Sequence, residues 1–228
     1  MGKFIVFEGV DKSGKSTQIS IINDWLNNRG IKSCIVREPG TTNLGKIISD
    51  LVKKQLNVEI SPRALKHLFM AARAELIDEQ LINNLNEYDI VLSDRFALST
   101  LCYQVIPDFK NRIDEFDLDC NTVIHTFANE MKLMWNKEPD LNIVFDINFE
   151  TYIKRALGEN TIISNKDRFE QDYEFIKNVI SNYHSLQSLN EFERTSLFGE
   201  CVFVEADKPI ETITEKLKEI ISSLLIIQ

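Results

Sequence analysis

Hydrophobic positions along the chain alternate between short, continuous runs and longer stretches with helical spacing. The short runs are rich in β-branched and aromatic residues, as in strands that helices cover on both faces. They are residues 4–7, 33–36, 90–93, 141–146 and 201–205. The stretches with helical spacing are residues 15–28, 44–54, 62–84, 98–103, 123–136, 150–157, 171–189 and 210–225. This alternation predicts a doubly wound α/β fold with a parallel sheet of about five strands, in a single domain over residues 1–228.

Two stretches fit this alternation poorly. Residues 106–122 are acidic and rich in Asp and Asn, which predicts a surface excursion between two elements. Residues 158–166 are polar around a small apolar centre and are predicted to be mobile. A small lid is expected at about residues 155–170.

The most specific motif is Gly9–Thr17, which reads G-V-D-K-S-G-K-S-T and fits the phosphate-loop pattern G-x-x-x-x-G-K-[ST]. A predicted strand precedes it and a predicted helix follows, so backbone N–H groups and a helix N-terminus converge on a polyanion. Lys15 supplies a charge for the β- and γ-phosphates, and Ser16 supplies a hydroxyl for Mg²⁺. The motif predicts a P-loop NTPase-like fold that binds a nucleoside triphosphate.

Cationic and acidic residues follow two of the other predicted strands. Arg37 comes directly after the second strand, and Asp94 with Arg95 closes the third. Ligands of open α/β sheets bind at this edge, where an Asp can support Mg²⁺ and an Arg can bind phosphate oxygens. The alternatives are a solvated Arg37 in a turn and a structural Asp94–Arg95 pair.

Two further groups of residues have weaker signals. Phe69 and Arg73 lie one helical turn apart, an arrangement that suits a flat base with carbonyl oxygens. An isolated Phe on a helix more often packs in the core, so that alternative stays open. The cationic residues Lys154, Arg155, Lys166 and Arg168 flank the predicted lid and could close over a phosphoryl group, or simply be solvated.

Composition narrows the classes of partner. The formal net charge of −9 disfavours non-specific nucleic-acid binding, which requires a basic face. The amino terminus predicts no signal peptide, and the apolar runs are too short to cross a membrane. Four cysteines without C-x-x-C spacing are expected to be reduced, as in a cytoplasmic protein. Three scattered histidines disfavour a histidine-based metal site.

Together these motifs resemble the thymidylate kinase family, whose members phosphorylate dTMP to dTDP. The resemblance extends from Phe4 to about Ala206. Its marks, in the family's order, are F-E-G-V-D-K-S-G-K-S-T, R-E-P-G-T-T, L-F-x-A-x-R, D-R-F-x-x-S-T-x-x-Y-Q, P-D-L and D-R-F-E. The resemblance implies ATP as phosphoryl donor, Mg²⁺ as cofactor and a homodimer.

The resemblance also implies roles for individual residues. Phe69 would stack on thymine, Arg73 would hydrogen-bond the base, and Asp11 would bind near the sugar 3′-hydroxyl. The implied dTMP site is Asp11, Arg37, Pro39, Phe69, Arg73, Arg95, Ser99, Thr100, Tyr103 and Gln104. The implied ATP site is Gly9, Asp11, Lys12, Ser13, Gly14, Lys15, Ser16, Thr17, Arg155 and Ala206. The metal would bind at Ser16 and Asp94, and the charge-stabilising catalytic residues would be Lys12, Lys15, Arg95 and Arg168.

The chain departs from the family pattern at two points. Thr41 follows Gly40 where the bacterial members usually carry a second Gly, and residues 105–108 replace a Gly-rich stretch. The basic residues are also mixed, since the family places its catalytic cation either in the phosphate loop or in the lid. Lys12 and Arg168 therefore both stay candidates for that role.

Two other functions stay open at this stage. The same fold could phosphorylate another acceptor, such as dUMP, dGMP or a deoxynucleoside. A non-catalytic nucleotide switch is the other alternative, but Arg73 and residues 94–104 serve a second substrate that a switch does not need. Residues 165–168 also lack the spacing and the preceding strand of a GTPase guanine-binding motif.

Overall fold

A computed structural model describes residues 1–53, 60–112, 119–158 and 173–226. Five parallel strands form one sheet, and they are β1 Lys3–Glu8, β2 Ser33–Arg37, β3 Ile90–Asp94, β4 Leu141–Asp146 and β5 Cys201–Glu205. Their order in the sheet is β2-β3-β1-β4-β5. The sequence predicted each strand to within one residue at either end, so the predicted fold class is confirmed.

Strand β1 lies at the centre of the sheet and leads into the phosphate loop. Its residues from Phe4 to Phe7 are all 0% exposed, because helices cover both faces of the sheet. The chain leaves β1 toward β2 on one side of the sheet and leaves the neighbouring strand β4 toward β5 on the other side, which places a crevice at the carboxyl end of β1. Parallel register pairs Phe7 with Asp94, and Asp94 with Arg37, so the ends of three strands meet at this crevice.

The helices alternate with the strands as predicted, and two of them pass through π-helical turns. The helices are α1 Lys15–Asn27, α2 Asn43–Lys53, α3 Pro62–Leu76, α4 Ile82–Glu87, α5 Ala97–Thr100, α6 Ile106–Asn111, α7 Cys120–Met134, α8 Phe149–Gly158, α9 Tyr173–Ser188, α10 Glu191–Phe198 and α11 Ile210–Ile226. The π-helical turns Ile77–Leu81 and Leu101–Val105 join α3 to α4 and α5 to α6.

The prediction of a surface excursion over residues 106–122 is wrong at its beginning and end. Ile106–Asn111 is helix α6, and its Ile106 and Phe109 are only 1% and 5% exposed. The apolar positions of this helix are buried although its neighbours are polar, so average composition hid the pattern. Helix α7 begins at Cys120, where the Asp119 carboxylate accepts a hydrogen bond from Thr122 N–H at 2.7 Å. Residues 113–118 lie outside the described part of the chain.

Sequence reasoning missed helix α10, Glu191–Phe198. Its start carries a recognisable signal, because the Asn190 side chain accepts from Glu193 N–H at 2.8 Å and an acidic residue stands at the third helical position. Of the predicted lid at 155–170, only Arg155–Gly158 is described, and these residues belong to helix α8. Among the residues that the structure describes, no helix combines the length and the apolar character needed to span a membrane.

Candidate active site

One cavity of about 850 Å³ opens at the carboxyl edge of the sheet, next to the phosphate loop. Most of the predicted site residues line it, although they come from elements far apart in the chain. From the prediction, the lining includes Asp11, Lys12, Ser13, Gly14, Lys15, Ser16, Thr17, Arg37, Pro39, Phe69, Asp94, Arg95, Ser99, Thr100, Tyr103, Gln104 and Arg155. Three predicted residues, Gly9, Arg73 and Ala206, are not in the lining, and Arg168 lies outside the described residues.

The phosphate loop needs glycine at Gly9 and Gly14 for its backbone path. Their φ angles are 131° and 98°, in a region that side chains disfavour. A Cβ at Gly9 would also lie 2.8 Å from the carbonyl oxygen of Phe145. Gly14 precedes helix α1, whose first turn has no side-chain cap and no acidic residue. The N-terminus of α1 therefore presents its N–H groups to the cavity, as an anion-binding site requires.

Lys15 is buried at the base of the loop and donates to the loop's own carbonyls. Its Nζ lies 3.0 Å from the Gly9 oxygen and 2.7 Å from the Val10 oxygen. Burial and the nearby Arg95 guanidinium lower the pKa of Lys15 to about 8, although neighbouring carboxylates oppose the shift. A bound polyphosphate would favour the charged form, so this lysine is suited to bind phosphate.

One carboxylate oxygen of Asp94 contacts the side chains of both Ser16 and Arg37. Ser16 Oγ donates to Asp94 Oδ2 at 3.0 Å, and Arg37 Nη2 lies 3.1 Å from the same oxygen. The Arg37 side chain is 58% exposed, whereas that of Asp94 is 8% exposed. A hydroxyl and a carboxylate beside a phosphate loop are hard oxygen donors of the kind that Mg²⁺ prefers. The donor set at Ser16 and Asp94 therefore fits the predicted metal.

Arg95 forms the link between the phosphate loop and the far side of the cavity. Its backbone has φ 76°, which is uncommon for a residue with a side chain. Its guanidinium donates to Asp11 Oδ1 at 2.6 Å and to the Gly9 carbonyl at 3.0 Å. Burial raises the pKa of Asp11, but Arg95 and Lys15 outweigh it and lower that pKa to about 2. Asp11 is thus ionised under physiological conditions.

Tyr103 stands beside this ion pair on the predicted sugar side of the cavity. The Asp11 backbone N–H donates to the Tyr103 hydroxyl at 3.3 Å, and the Arg95 guanidinium lies 5.1 Å from the centre of the Tyr103 ring. Burial raises the pKa of Tyr103, so the phenol keeps its proton. Phe69 and Pro39 line the same cavity, and Phe69 is partly buried. Phe69, the aromatic residue predicted for base stacking, is therefore part of the cavity wall.

Arg73 is not part of the cavity lining, and its predicted contact with the base stays a prediction. It is 0% exposed, and its Nη2 donates to Phe96 O at 2.9 Å and to Thr100 Oγ1 at 2.8 Å. The same guanidinium forms an ion pair with Glu38, which is itself buried. In this structure Arg73 lies behind Thr100, which does line the cavity.

Arg155 connects the phosphate loop with the segment after β5. Its Nη1 donates to the Lys12 and Ser13 carbonyls, both at 3.1 Å, and its Nη2 donates to the Ala206 carbonyl at 2.6 Å. The predicted adenine contact at Ala206 is not part of the wall, because Ala206 is 0% exposed. The wall there consists of residues that sequence reasoning missed, namely Gln18, Lys208, Pro209, Ile210 and Ile213. Their position just after a strand end was the signal that could have found the last four.

Sequence reasoning also missed Glu8, the last residue of β1. It is 0% exposed, and the Ser99 hydroxyl donates to its carboxylate at 2.6 Å. Its place before Gly9 in the stretch F-E-G-V-D-K-S-G-K-S-T was the signal that could have indicated a role.

Comparison with known proteins agrees with this geometry. The sequence profile of the family "Thymidylate kinase" matches residues 7–217. The chain is 30% identical over 226 residues to a thymidylate kinase of Legionella pneumophila (strain Corby), an alignment that covers 98% of this chain and 96% of the relative. It is 31% identical over 224 residues to a thymidylate kinase of Thermosipho melanesiensis, covering 97% and 98%. A probable thymidylate kinase of Thermococcus kodakarensis is 29% identical over 228 residues, with 97% and 98% covered.

Proposed function

This chain belongs to the thymidylate kinase family, and we propose that it transfers the γ-phosphoryl group of ATP to dTMP, giving dTDP and ADP. The observation that carries the proposal is a single cavity with two kinds of lining. The phosphate loop and the N-terminus of α1 form one part, and Phe69, Arg95 and Tyr103 belong to the other. A kinase needs both substrates in one water-excluding site, in line with each other.

On the donor side, the chain positions and neutralises the polyphosphate. Backbone N–H groups of residues 13–17 and the Lys15 ammonium bind the phosphate oxygens. The Arg155 guanidinium holds the carbonyls of Lys12 and Ser13, so it keeps the loop in shape. Lys12 in the loop and Arg168, outside the described residues, are the two candidates for the cation that stabilises the transferring group.

Mg²⁺ is the cofactor that we propose for this reaction, with Ser16 and Asp94 as the residues that would hold it. When bound, it would neutralise phosphate charge and orient the donor. Asp94 is suited to this because it is ionisable, buried and already within hydrogen-bonding distance of the Ser16 hydroxyl.

On the acceptor side, cationic and aromatic groups would select and orient dTMP. Arg95 and Arg37 bind the acceptor phosphate, Phe69 stacks on the thymine ring, and Tyr103 closes the sugar side. The reaction requires no general base, because the attacking phosphate oxygen is already an anion. Charge neutralisation and alignment supply most of the rate enhancement.

We further propose nucleotides as the ligands, with no nucleic acid as a partner, because the chain carries a net charge of −9. A homodimer and a cytoplasmic location complete the proposal. The homodimer follows from the family resemblance alone. The location fits the nucleotide substrates and four cysteines that are all free thiols.

A panel of acceptors tests the proposed function. ADP release from ATP and Mg²⁺ is followed with dTMP, dUMP, dGMP, thymidine or no acceptor, and Lys15→Met serves as the impaired control. We expect dTMP to be among the best acceptors and Lys15→Met to lose about 10²–10³-fold in turnover. ADP release that does not depend on an acceptor, or a clear preference for dGMP or thymidine, would overturn the assignment.

A further inference from the structure

We propose that Glu8 is a positioning residue that holds Arg95 in the orientation needed to bind the acceptor phosphate. The proposal rests on the proposed function, which gives Arg95 that phosphate. Glu8 ends strand β1, immediately before Gly9, and is 0% exposed. A buried carboxylate is costly unless several donors compensate for its lost hydration, so its contacts indicate what it stabilises.

Three donors from two separate parts of the chain converge on Glu8. Its Oε1 accepts the Phe96 backbone N–H at 2.9 Å. Its Oε2 accepts the Ser99 hydroxyl at 2.6 Å and the Tyr183 hydroxyl at 3.1 Å. Phe96 immediately precedes α5 and Ser99 lies in α5, whereas Tyr183 lies on α9. Glu8 therefore ties the start of the phosphate loop to the segment that carries Arg95.

The first tie acts on the backbone of Arg95. This residue has φ 76°, a conformation that costs free energy for a residue with a Cβ. Its own N–H donates to Phe7 O at 3.0 Å, and the next N–H, that of Phe96, donates to Glu8. The two hydrogen bonds hold the peptide groups on either side of Arg95 against the end of β1. Glu8 thereby helps to maintain the uncommon backbone conformation.

The second tie acts on the Arg95 side chain through Ser99. A hydroxyl has one proton, and that of Ser99 points to Glu8 Oε2. The oxygen of Ser99 is then an acceptor on its other side, where Arg95 Nη1 donates to it at 2.9 Å. The negative charge of Glu8 thus fixes Ser99 as an acceptor and sets the direction of the guanidinium.

Replacing Glu8 with glutamine removes the charge and changes the hydrogen-bonding groups of the side chain, while its volume stays nearly the same. An amide offers one accepting oxygen and one donating NH₂ group. If its NH₂ takes the place of Oε1, it faces the Phe96 N–H, which cannot accept a hydrogen bond. If it takes the place of Oε2, it donates to the Ser99 and Tyr183 hydroxyls, which must then turn their protons elsewhere, so Ser99 is no longer fixed as the acceptor for Arg95. Either orientation should disturb the position of Arg95 while keeping the shape of the core.

Binding of dTMP and thymidine to the full-length protein distinguishes positioning from a merely structural role. The two ligands share base and sugar and differ only in the phosphate. By calorimetry, we expect Glu8→Gln to weaken dTMP binding about tenfold and thymidine binding less than about twofold, as for the loss of one charge-assisted contact. Ser99→Ala should reduce the preference for dTMP in the same way. Asn142→Ala removes a buried polar side chain on β4 and should leave both affinities unchanged.

Each outcome decides between the roles. Equal weakening of both ligands in a folded Glu8→Gln protein would overturn the proposal, and so would wild-type affinities. If Glu8→Gln does not fold, Ser99→Ala decides, and a wild-type ratio of the two affinities in that variant contradicts the proposal. If the wild-type protein binds dTMP no better than thymidine, Arg95 does not bind the acceptor phosphate. That result would contradict the proposed function, and it would do so independently of what Glu8 contacts.

Discussion

Arg73 and Glu38 form a buried ion pair at the cavity, in which Arg73 Nε donates to Glu38 Oε1 at 2.8 Å; Glu38 is part of the cavity lining and Arg73 is not. Arg73 is 0% exposed and Glu38 is 4% exposed. Because the pair is removed from water, the loss of one partner leaves a buried, uncompensated charge. We expect Glu38→Leu to lower the free energy of unfolding by about 3–5 kcal/mol, measured by urea denaturation.

The matched control for this pair is on the surface. On helix α11, Lys218 Nζ lies 2.7 Å from Glu215 Oε1, and the Glu215 side chain is 70% exposed. Glu215→Leu should leave the urea midpoint almost unchanged, since exposed pairs contribute little. The double variant Arg73→Met/Glu38→Leu should be more stable than Glu38→Leu alone. A Glu38→Leu protein as stable as the wild type would contradict this account of the pair.

Asp94→Asn should impair metal-dependent binding of ATP. The asparagine side chain has nearly the same size as that of aspartate but lacks the charge that attracts Mg²⁺. We expect the Mg²⁺ concentration for half-maximal activity to rise about 10- to 100-fold. Asp146→Asn is the control. Asp146 ends β4, which β1 separates from β3 in the sheet, and its Oδ1 lies 2.6 Å from His184 Nε2. If both variants shift the Mg²⁺ requirement equally, Asp94 has no special role.

The pKa of Lys15, about 8, predicts that ATP affinity depends on pH. Below this pKa the ammonium is charged and binds phosphate; above it the amine is neutral, and the attraction is lost. From about pH 7 to about pH 9 the charged fraction falls about tenfold, and the affinity for ATP should fall with it. Calorimetry at several pH values measures this. Lys15→Met should bind weakly with a flat profile, and a flat wild-type profile would count against the assignment.

Phe69→Ala tests the stacking assignment. The loss of an aromatic surface that contacts the base should raise the KM for dTMP about tenfold or more, with little change in kcat at saturation. Steady-state kinetics separate the two constants. Phe192→Ala serves as the control, because the Phe192 side chain is 86% exposed and is not part of the cavity lining. A folded Phe69→Ala enzyme with the wild-type KM would remove Phe69 from the base site.

The elements that could be predicted from the sequence are those that local patterns determine. Buried parallel strands are short apolar runs, and the phosphate loop has fixed glycines, so both were found with accurate bounds. The ends of parallel strands meet at one edge of the sheet, which is why Asp94 and Arg37 were rightly placed next to the loop.

Features that depend on contacts distant in sequence could not be found in the same way. The buried partner of Arg73 was not predicted, because Glu38 lies 35 positions earlier in the chain. Ile106 and Phe109 of the helix Ile106–Asn111 are buried, which the acidic composition of residues 106–122 does not reveal. The contacts of Glu8 could not be read from the motif around it, since its partners come from two other segments.

The fate of the γ-phosphoryl group tests the central claim most directly. The wild-type protein is incubated with γ-labelled ATP, Mg²⁺ and dTMP, and the products are separated by chromatography, with Lys15→Met as the control. We predict that the label appears in dTDP, in a one-to-one ratio with the ADP formed, and that the control forms far less of both. Label that appears only in inorganic phosphate, or that never enters dTDP, would contradict the account.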